Sequence, residues 1–304
     1  MLVQKKKILY LNEDLPNNKS NLYLENKIKL KQLIKYIGNK NRYAERIISH
    51  FPKKYKKYFE PFLGSGAVLA ALKPNNAIAA DSYNPLIQLF KLVKNNPNIV
   101  LKNYETRWNK YIKNKKETFE KIKKNFNQNN NPHDYLFLTR SCYGGVMRFR
   151  KDGYYSTPIG IHTAITPVEF SKRLYVWSKI LKNVQLYCSD YKDILLKAKK
   201  GDIVYCDPPY VDSQKIIYGA QKFNLQDLFN VLKILKKRKV FFALSIDGSK
   251  KSKNKIIDIK FPKNLFEQEI YLSGKGSMLK RFQRLNSNVN DEQIEDRLLL
   301  SEKI

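Results

Sequence analysis

Short apolar runs alternate with amphipathic stretches along most of the chain. The runs are four to seven residues long and rich in aliphatic and aromatic residues, which is typical of buried strands. They predict six strands: Tyr58–Phe62, Ala77–Ala80, Val184–Cys188, Ile203–Cys206, Val240–Ile246 and Asp296–Leu300. Because helical segments separate these strands, the pattern predicts an α/β fold with a mostly parallel sheet.

Helices are predicted where apolar residues recur with helical spacing. Thr166 and Glu169 form a capping box with Pro167 at the first helical position, so a helix begins there. The predicted helices are Ala67–Leu72, Pro85–Lys94, His133–Cys142, Pro167–Leu181 and Asn224–Lys239.

The alternation of strands and helices stops in the middle of the chain. From about Pro97 to Asn131 the sequence is charged and compatible with long helices, and Asp152-Gly153 marks a hairpin turn. The chain is therefore predicted to consist of four parts. These are an N-terminal extension (residues 1–30), a first α/β half (31–96), an insert (97–178) and a second α/β half (179–304).

The chain carries a large excess of positive charge. It contains 58 Lys and Arg against 27 Asp and Glu, a formal net charge of +31. An excess of this size favours a polyanionic partner, and nucleic acid is the first class to consider. With 42% hydrophobic residues the chain can still bury a core. Lysine is abundant throughout, so a coding bias of the source is an alternative explanation for part of the charge.

Neither a metal site nor a membrane span is expected. Cys142, Cys188 and Cys206 are too far apart for a zinc or redox motif, and the chain has only three His. No apolar run reaches the length of a membrane-spanning helix. These features predict a soluble cytoplasmic protein.

Asp207 directly follows the predicted strand Ile203–Cys206, and open α/β sheets bind ligands at the carboxyl ends of their strands. The Asp207 carboxylate and the Pro208 carbonyl would form two adjacent acceptors for an exocyclic amino group, with Pro209 fixing the backbone. Tyr210 would offer an aromatic face to a planar base. The alternative is an ordinary capping aspartate in a Pro-Pro turn.

A glycine turn follows the first predicted strand. Gly64 and Gly66 would let the backbone approach a ligand closely, as in nucleotide-type cofactor sites. Asp81 ends the next predicted strand, where an acidic residue can bind a ribose or cap the following helix. Upstream, Lys35–Lys40 combines lysine, tyrosine and glycine, a pattern that is common in so basic a chain.

Taken together, these segments resemble the Dam-type DNA adenine-N6 methyltransferases (D12 class, α-group) from about Leu33 to Leu300. The matching motifs are Lys35–Lys40, Phe59–Gly66, Ala80-Asp81, Thr139–Phe149 and Asp207–Tyr210. In the fourth motif Gly144 replaces the usual Asn, which bears on the target sequence more than on the activity. The resemblance implies a Rossmann-like methyltransferase sheet of seven, mostly parallel strands. The insert at 97–178 would be a helical and β-hairpin target-recognition module.

The resemblance also implies S-adenosylmethionine as the cofactor, bound mainly by residues 31–96, and no metal. Tyr36 and Lys40 would hold the methionine end, Asp81 the ribose, and Asp190 with Tyr191 would border the adenine. The floor and edge of this site would be formed by Glu60, Pro61, Phe62, Gly64, Gly66 and Asp207.

The implied substrate is double-stranded DNA, from which the enzyme would flip the target adenine. The catalytic segment in residues 179–304 would be Asp207, Pro208, Pro209 and Tyr210. Arg148 is the candidate base reader, because an arginine fork matches the guanine edge in the major groove. The other predicted DNA contacts are Arg140, Tyr143, Arg150 and Lys151.

Two other functions are compatible with parts of the pattern. An RNA or protein-glutamine methyltransferase could use the same clamp, but no recognition insert would be expected. A catalytically inactive DNA-binding relative would be expected to lose Asp207, Gly64 or Asp81. The resemblance further implies a restriction-modification or solitary methylase, acting as a monomer or weak dimer. Any cognate endonuclease would act separately.

Overall fold

The computed structural model describes residues 30–209, 223–247, 260–274 and 294–303. These residues form a seven-stranded sheet. Its strands are β1 (Tyr58–Glu60), β2 (Ala77–Asp81), β3 (Val184–Cys188), β4 (Ile203–Cys206), β5 (Phe241–Asp247), β6 (Gln268–Gly274) and β7 (Ile294–Leu300).

The strand order is β3-β2-β1-β4-β5-β7-β6. The first five strands of this order are parallel to one another. β7 runs antiparallel between β5 and β6. The predicted Rossmann-like sheet of seven, mostly parallel strands is confirmed.

The extent of burial determines which strands can be predicted from the sequence. Every residue of β1 and β4 is buried, because helices cover both faces of a parallel sheet and its strands become continuous apolar runs. β6 was not predicted from the apolar pattern. It pairs only with β7 among the described strands, and Glu269 and Tyr271 are exposed beside the buried Leu272. An edge strand of this composition carries little hydrophobic signal.

The five helices predicted with bounds agree with the observed ones to within two residues at each end. Thr166 Oγ1 accepts a hydrogen bond from the Glu169 backbone N–H, as the capping box predicts. The helices are α1 (Ala44–Ile48), α2 (Ala67–Leu72), α3 (Asn84–Asn95), α4 (Pro97–Lys113), α5 (Lys115–Asn129), α6 (Pro132–Ser141), α7 (Pro167–Leu181), α8 (Tyr191–Leu195) and α9 (Leu225–Lys237). Within the described ranges, no helix has both the length and the apolar content of a membrane span.

The middle of the chain leaves the sheet between β2 and β3. Helices α4, α5 and α6 pack on one another. α4 also packs on α3 and α7, and α6 also packs on α3. Trp177 of α7 contacts Phe90 of α3 with ring centroids 5.7 Å apart. The predicted insert boundary at residue 178 lies inside α7, so the four-part division stays a prediction. Most of the predicted extension, residues 1–29, lies outside the described residues.

A short hairpin connects α6 to α7. Phe149 and Tyr155 form an antiparallel bridge, and Arg150 N–H donates to the Tyr154 carbonyl at 2.9 Å. Gly153 has a φ of +83°, which glycine adopts readily in a tight turn. The hairpin turn predicted at Asp152-Gly153 is confirmed.

Candidate active site

The carboxyl ends of β1 and β4 meet where the strand order reverses. Tyr58 of β1 pairs with Ile203 of β4, while β2 lies on the far side of β1 and β5 on the far side of β4. Open α/β sheets bind ligands in the crevice at such a point. A cavity of ≈ 470 Å³ lies there, and small-molecule sites usually measure about 300–1,000 Å³.

Asp207, directly after β4, forms an ion pair with a buried lysine. Lys40 Nζ lies 2.8 Å from Asp207 Oδ1 and 3.7 Å from Asp296 Oδ2. The Lys40 side chain is only 3% exposed, and that of Asp207 is 20% exposed. Burial alone would lower the pKa of Lys40, but the two carboxylates outweigh it and raise the pKa above its ordinary value. A charged donor therefore holds the Asp207 carboxylate at the edge of the cavity.

Glu60 ends β1 as a buried carboxyl group. Tyr58 Oη donates to Glu60 Oε2 at 2.7 Å, and the Glu60 residue is 2% exposed. Burial raises the pKa of Glu60 to about 8. The Tyr58 hydrogen bond opposes this rise, and the Asp207 carboxylate adds to it. Glu60 is therefore mostly protonated at neutral pH and can donate a hydrogen bond as well as accept one.

We expect the free energy of unfolding to decrease as the pH rises and Glu60 loses its proton. Its pKa is raised from 4.5 to about 8 on folding, so the folded protein binds the extra proton between these values. The stabilisation is complete below the unfolded-state pKa and is lost as the pH rises through the folded-state pKa. One group contributes a slope of up to ~1.4 kcal/mol per pH unit. Glu60→Gln should lack this slope in urea unfolding from about pH 5 to about pH 9. Identical pH profiles for the two proteins would contradict the assignment.

Asp81 ends β2 and fixes the glycine turn that follows β1. Its carboxylate accepts from the backbone N–H groups of Gly64 and Tyr83, each at 3.0 Å. Burial raises the pKa of Asp81, and the backbone donors oppose the rise. Gly64 has a φ of +46°, and a Cβ there would lie 3.0 Å from the Tyr36 ring. Glycine is needed at this point so that Tyr36 can lie against the turn.

Aromatic rings form another wall of the cavity. The Phe62 and Tyr191 rings stack with centroids 5.0 Å apart, and Phe223 packs edge-on against both at 5.8 Å. Asp190 is the exposed N-cap of α8, and its carboxylate accepts from the Lys192 N–H at 2.8 Å. This wall offers a flat apolar surface with a carboxylate at its rim, which suits a planar heterocycle.

Two tyrosine hydroxyls near the cavity are free to bind a ligand. The Oη atoms of Tyr83 and Tyr191 are buried and have no hydrogen-bond partner in the part of the chain that the structure describes. Both residues line the cavity. A buried hydroxyl without a partner is costly, so a polar ligand that bonded either group would gain affinity.

The cavity brings together most of the predicted catalytic and cofactor residues. Gly66 does not line it. This residue precedes α2 with a φ of +67°, and a Cβ there would lie 3.2 Å from the Trp177 ring. Tyr210 lies outside the described residues. The predicted residues that line the cavity are Tyr36, Lys40, Glu60, Pro61, Phe62, Gly64, Asp81, Asp190, Tyr191, Asp207, Pro208 and Pro209.

The prediction that Arg140 contacts DNA phosphate needs correction. The residue is 4% exposed, and its Nε and Nη2 atoms donate to the Leu33 carbonyl at 2.9 and 2.6 Å. Nη2 also donates to the Gln32 carbonyl. Burial lowers the pKa of Arg140 to about 10, and Arg173 contributes to the decrease. The guanidinium therefore fixes the chain just before Lys35–Lys40 and is not accessible to a duplex.

The other predicted DNA contacts lie on or beside the hairpin. Arg148, Arg150 and Lys151 are exposed. Arg150 pairs with Asp152 at 2.8 Å. Tyr143 is half-buried at the base of the hairpin, where its N–H donates to the Pro158 carbonyl at 2.9 Å. Three cations thus project from a hairpin whose Phe149 ring borders the cavity.

Several residues of the site were not predicted from the sequence. Tyr83 packs edge-on against Tyr135 of α6 and Phe149 of the hairpin, with centroids 5.4 and 5.7 Å apart. Only Phe149 lies in a matched motif. Asp296 comes from the antiparallel β7, and no local pattern connects it to Lys40. Other unpredicted lining residues include Met147, Tyr205 and Phe223.

A protein-family model described as D12 class N6 adenine-specific DNA methyltransferase matches residues 36–278. This range includes the glycine turn, the insert and the Asp207–Tyr210 segment. The match covers most of the chain and includes the cavity residues from both α/β halves.

Individual proteins are similar over most of the same range. The chain is 29% identical to the type II methyltransferase M.MjaIII of Methanocaldococcus jannaschii, over 69% of this chain and 81% of that protein. It is 29% identical to a DNA adenine methylase of Serratia marcescens, over 66% and 75% of the two chains. A solved rRNA methyltransferase from Streptomyces viridochromogenes is 12% identical with a TM-score of 0.37, over 90% and 89% of the two chains. That likeness is too distant to bear on function.

Proposed function

The chain belongs to the D12 class of N6 adenine-specific DNA methyltransferases, and we propose that its cavity holds S-adenosylmethionine beside a flipped-out adenine. The family implies DNA as the substrate and S-adenosylmethionine as the methyl donor. The observation that supports this use of the cavity is the ion-paired Asp207, at the carboxyl end of β4.

The residues of the cavity fit the cofactor. Asp81 would accept hydrogen bonds from the ribose hydroxyls, because each of its oxygens keeps a lone pair beyond its backbone donor. The stacked Phe62 and Tyr191 rings, with Asp190 at their rim, would hold the adenine. Tyr36 and Lys40 would border the methionine end. Glu60, Pro61 and Gly64 would form the floor, where the missing Cβ of Gly64 leaves room for close approach.

The proposed mechanism depends on orientation of the target amine. Asp207 and the Pro208 carbonyl would accept the two N6 hydrogens and draw the nitrogen lone pair out of conjugation with the ring. When bound, the cofactor supplies an electrophilic methyl group on a sulfonium. Lys40 would keep the Asp207 carboxylate aimed at the amine, so that positioning provides most of the rate. Tyr210 would stack on the flipped base and offset part of the few kcal/mol that flipping costs.

The proposal is tested by incubating the protein with tritiated S-adenosylmethionine and mixed-sequence duplex DNA. The DNA is then digested to nucleosides. Label in N6-methyl-2′-deoxyadenosine is expected. Label in N4-methylcytosine would overturn the adenine clamp, and absence of label would support an inactive DNA-binding relative. RNA of the same sequence is the control substrate and is expected to remain unlabelled.

Arg148 is proposed to read a base, whereas Lys151 would contact phosphate. Arg148→Ala is expected to lose about 1–3 kcal/mol of discrimination at one base pair, roughly 5- to 150-fold. Lys151→Ala should weaken binding to all sequences and reduce the log-log salt slope by about 0.9. Sequencing of methylated positions in a random library, together with binding at several salt concentrations, separates these effects. Unchanged site preference in Arg148→Ala would exclude it as the reader.

The biological setting is also a proposal. The similarity to a type II methyltransferase is compatible with a restriction-modification system whose endonuclease acts separately, and the similarity to a DNA adenine methylase with a solitary enzyme. In either case the protein would act in the cytoplasm on duplex DNA, as a monomer or weak dimer.

A further inference from the structure

We infer that the sheet edge opposite the active site binds a second segment of duplex DNA. This edge consists of the amino ends of the five parallel strands. We call its exposed lysines the basic edge: Lys54, Lys56, Lys73, Lys182, Lys200 and Lys239. The inference rests on the DNA substrate of the family and not on the details of the proposed active site.

Strand register places the lysines of the basic edge side by side. The first residues of the parallel strands lie opposite one another, since Tyr58 pairs with both Ala77 and Ile203, Ala77 with Val184, and Ile203 with Phe241. The segments just before these strands therefore lie side by side. Neighbouring strands are about 4.8 Å apart, so five strands extend about 19 Å. Duplex DNA carries one charge per ~1.7 Å, so such a row can lie along about ten phosphates.

Backbone contacts connect adjacent segments of this edge. Lys56 N–H donates to the Gly201 carbonyl at 2.8 Å, and Ile203 N–H donates to the Lys57 carbonyl at 2.9 Å. A Cβ at Gly201 would lie 3.3 Å from the Lys56 side chain. On the other side, Tyr58 N–H donates to the Asn76 carbonyl. The lysines before β1, β2 and β4 are thus held on one surface.

The lysines of the basic edge are not neutralised by acidic side chains within the described ranges. None of the six lysines forms an ion pair with any residue in the described ranges. Some exposed lysines elsewhere do so, since Lys121 pairs with Glu117 at 2.5 Å and Lys172 with Glu169 at 2.8 Å. What sets the basic edge apart is therefore its alignment by strand register, and not the lack of ion pairs alone. Asp202 belongs to the same edge but is buried and accepts from the Lys199 N–H at 2.9 Å. Unpaired cations in a row repel one another unless a polyanion neutralises them.

The duplex in the active site cannot reach the basic edge. Lys200 and Asp207 are separated by the length of β4 and its flanking residues, about 20 Å at the usual rise per residue. The hairpin that carries Arg148 borders the opposite, carboxyl end of the sheet. Duplex DNA has a persistence length of about 150 base pairs and does not fold back over such a distance. The basic edge therefore binds a separate segment, which lets one protein bridge two duplexes.

The test uses two variants with the same change in net charge. The first neutralises four of the six lysines of the basic edge with Lys56→Gln, Lys73→Gln, Lys200→Gln and Lys239→Gln. The control replaces four exposed lysines of α4 and α5 with Lys102→Gln, Lys110→Gln, Lys113→Gln and Lys116→Gln. Each protein is bound to a bead-attached duplex, and capture of a second, fluorescent duplex is measured.

Wild type and control are expected to capture the second duplex, whereas the basic-edge variant should lose about tenfold or more of this capture at moderate salt. All three should methylate a short duplex at similar rates. If the quadruple variant folds poorly, the pair Lys56→Glu and Lys200→Glu should give the same loss with fewer changes. Equal capture by the basic-edge variant would overturn the inference, because a dimer with two active sites would then explain bridging. Preference for fluorescent RNA over duplex DNA would also overturn it.

Discussion

Asp207→Ala should abolish methyl transfer while leaving DNA binding within about threefold of wild type. The carboxylate would accept an N6 hydrogen and orient the amine, and loss of a positioned catalytic group typically costs 10²- to 10⁴-fold in rate. The effect should appear in kcat, because ground-state contacts to the DNA backbone come from other residues. Single-turnover transfer of tritiated methyl groups to saturating duplex measures it.

A second substitution separates loss of the acceptor from disturbance of its surroundings. Removal of Asp207 leaves the buried Lys40 ammonium 3.7 Å from Asp296 and without its closer partner. Asp207→Asn keeps the shape and one acceptor oxygen, so it should retain more stability than Asp207→Ala but recover little turnover. Thermal unfolding and S-adenosylmethionine binding provide the controls. Turnover by either variant within tenfold of wild type would remove Asp207 from the chemistry.

Asp81 and Asp207 are predictable because each follows a strong apolar run, whereas Glu60 is indicated only by the family resemblance. Glu60 and Asp81 end β1 and β2, Asp207 directly follows β4, and parallel strands bring their carboxyl ends to one edge of the sheet. Asp296 has no such signal. It comes from an antiparallel strand, and its approach to Lys40 depends on pairing with β5 that spans distant parts of the chain. Long-range register of this kind is not contained in local periodicity.

A charged residue in the sequence indicates less about its place in the fold than an apolar run does. Arg140 and Arg148 lie in the same matched segment, yet one is buried and the other exposed. Most residues of α6 are buried against neighbouring elements, so Arg140 is enclosed between the helix and the chain before Lys35. Sequence shows that both residues are arginines, but only the packing of α6 determines which can reach DNA.

Arg140→Met should therefore affect stability and cofactor binding but not DNA recognition. The substitution keeps the aliphatic volume and removes the donors to the Leu33 and Gln32 carbonyls. The Gln32 carbonyl keeps the Arg173 Nη1 donor at 3.1 Å, whereas the buried Leu33 carbonyl loses its donors. A buried carbonyl without a partner costs about 1–3 kcal/mol, so a loss of about that size in the free energy of unfolding is expected. Because the freed segment leads directly to Tyr36 and Lys40, the KM for S-adenosylmethionine should rise. Urea unfolding and initial rates measure the two effects.

The salt dependence of DNA binding decides between the buried and the phosphate-contacting role of Arg140. A phosphate contact contributes about −0.9 to the log-log slope. Arg140→Met should leave this slope unchanged, because the buried Arg140 side chain cannot contact phosphate. Gly145 packs against Lys35 and covers the same region from the hairpin side. The matched control is Arg150→Met, whose side chain is 62% exposed. It should lose the slope contribution while its stability changes by less than about 0.5 kcal/mol. A reduced slope with wild-type stability in Arg140→Met would show that α6 opens to bring Arg140 to the duplex.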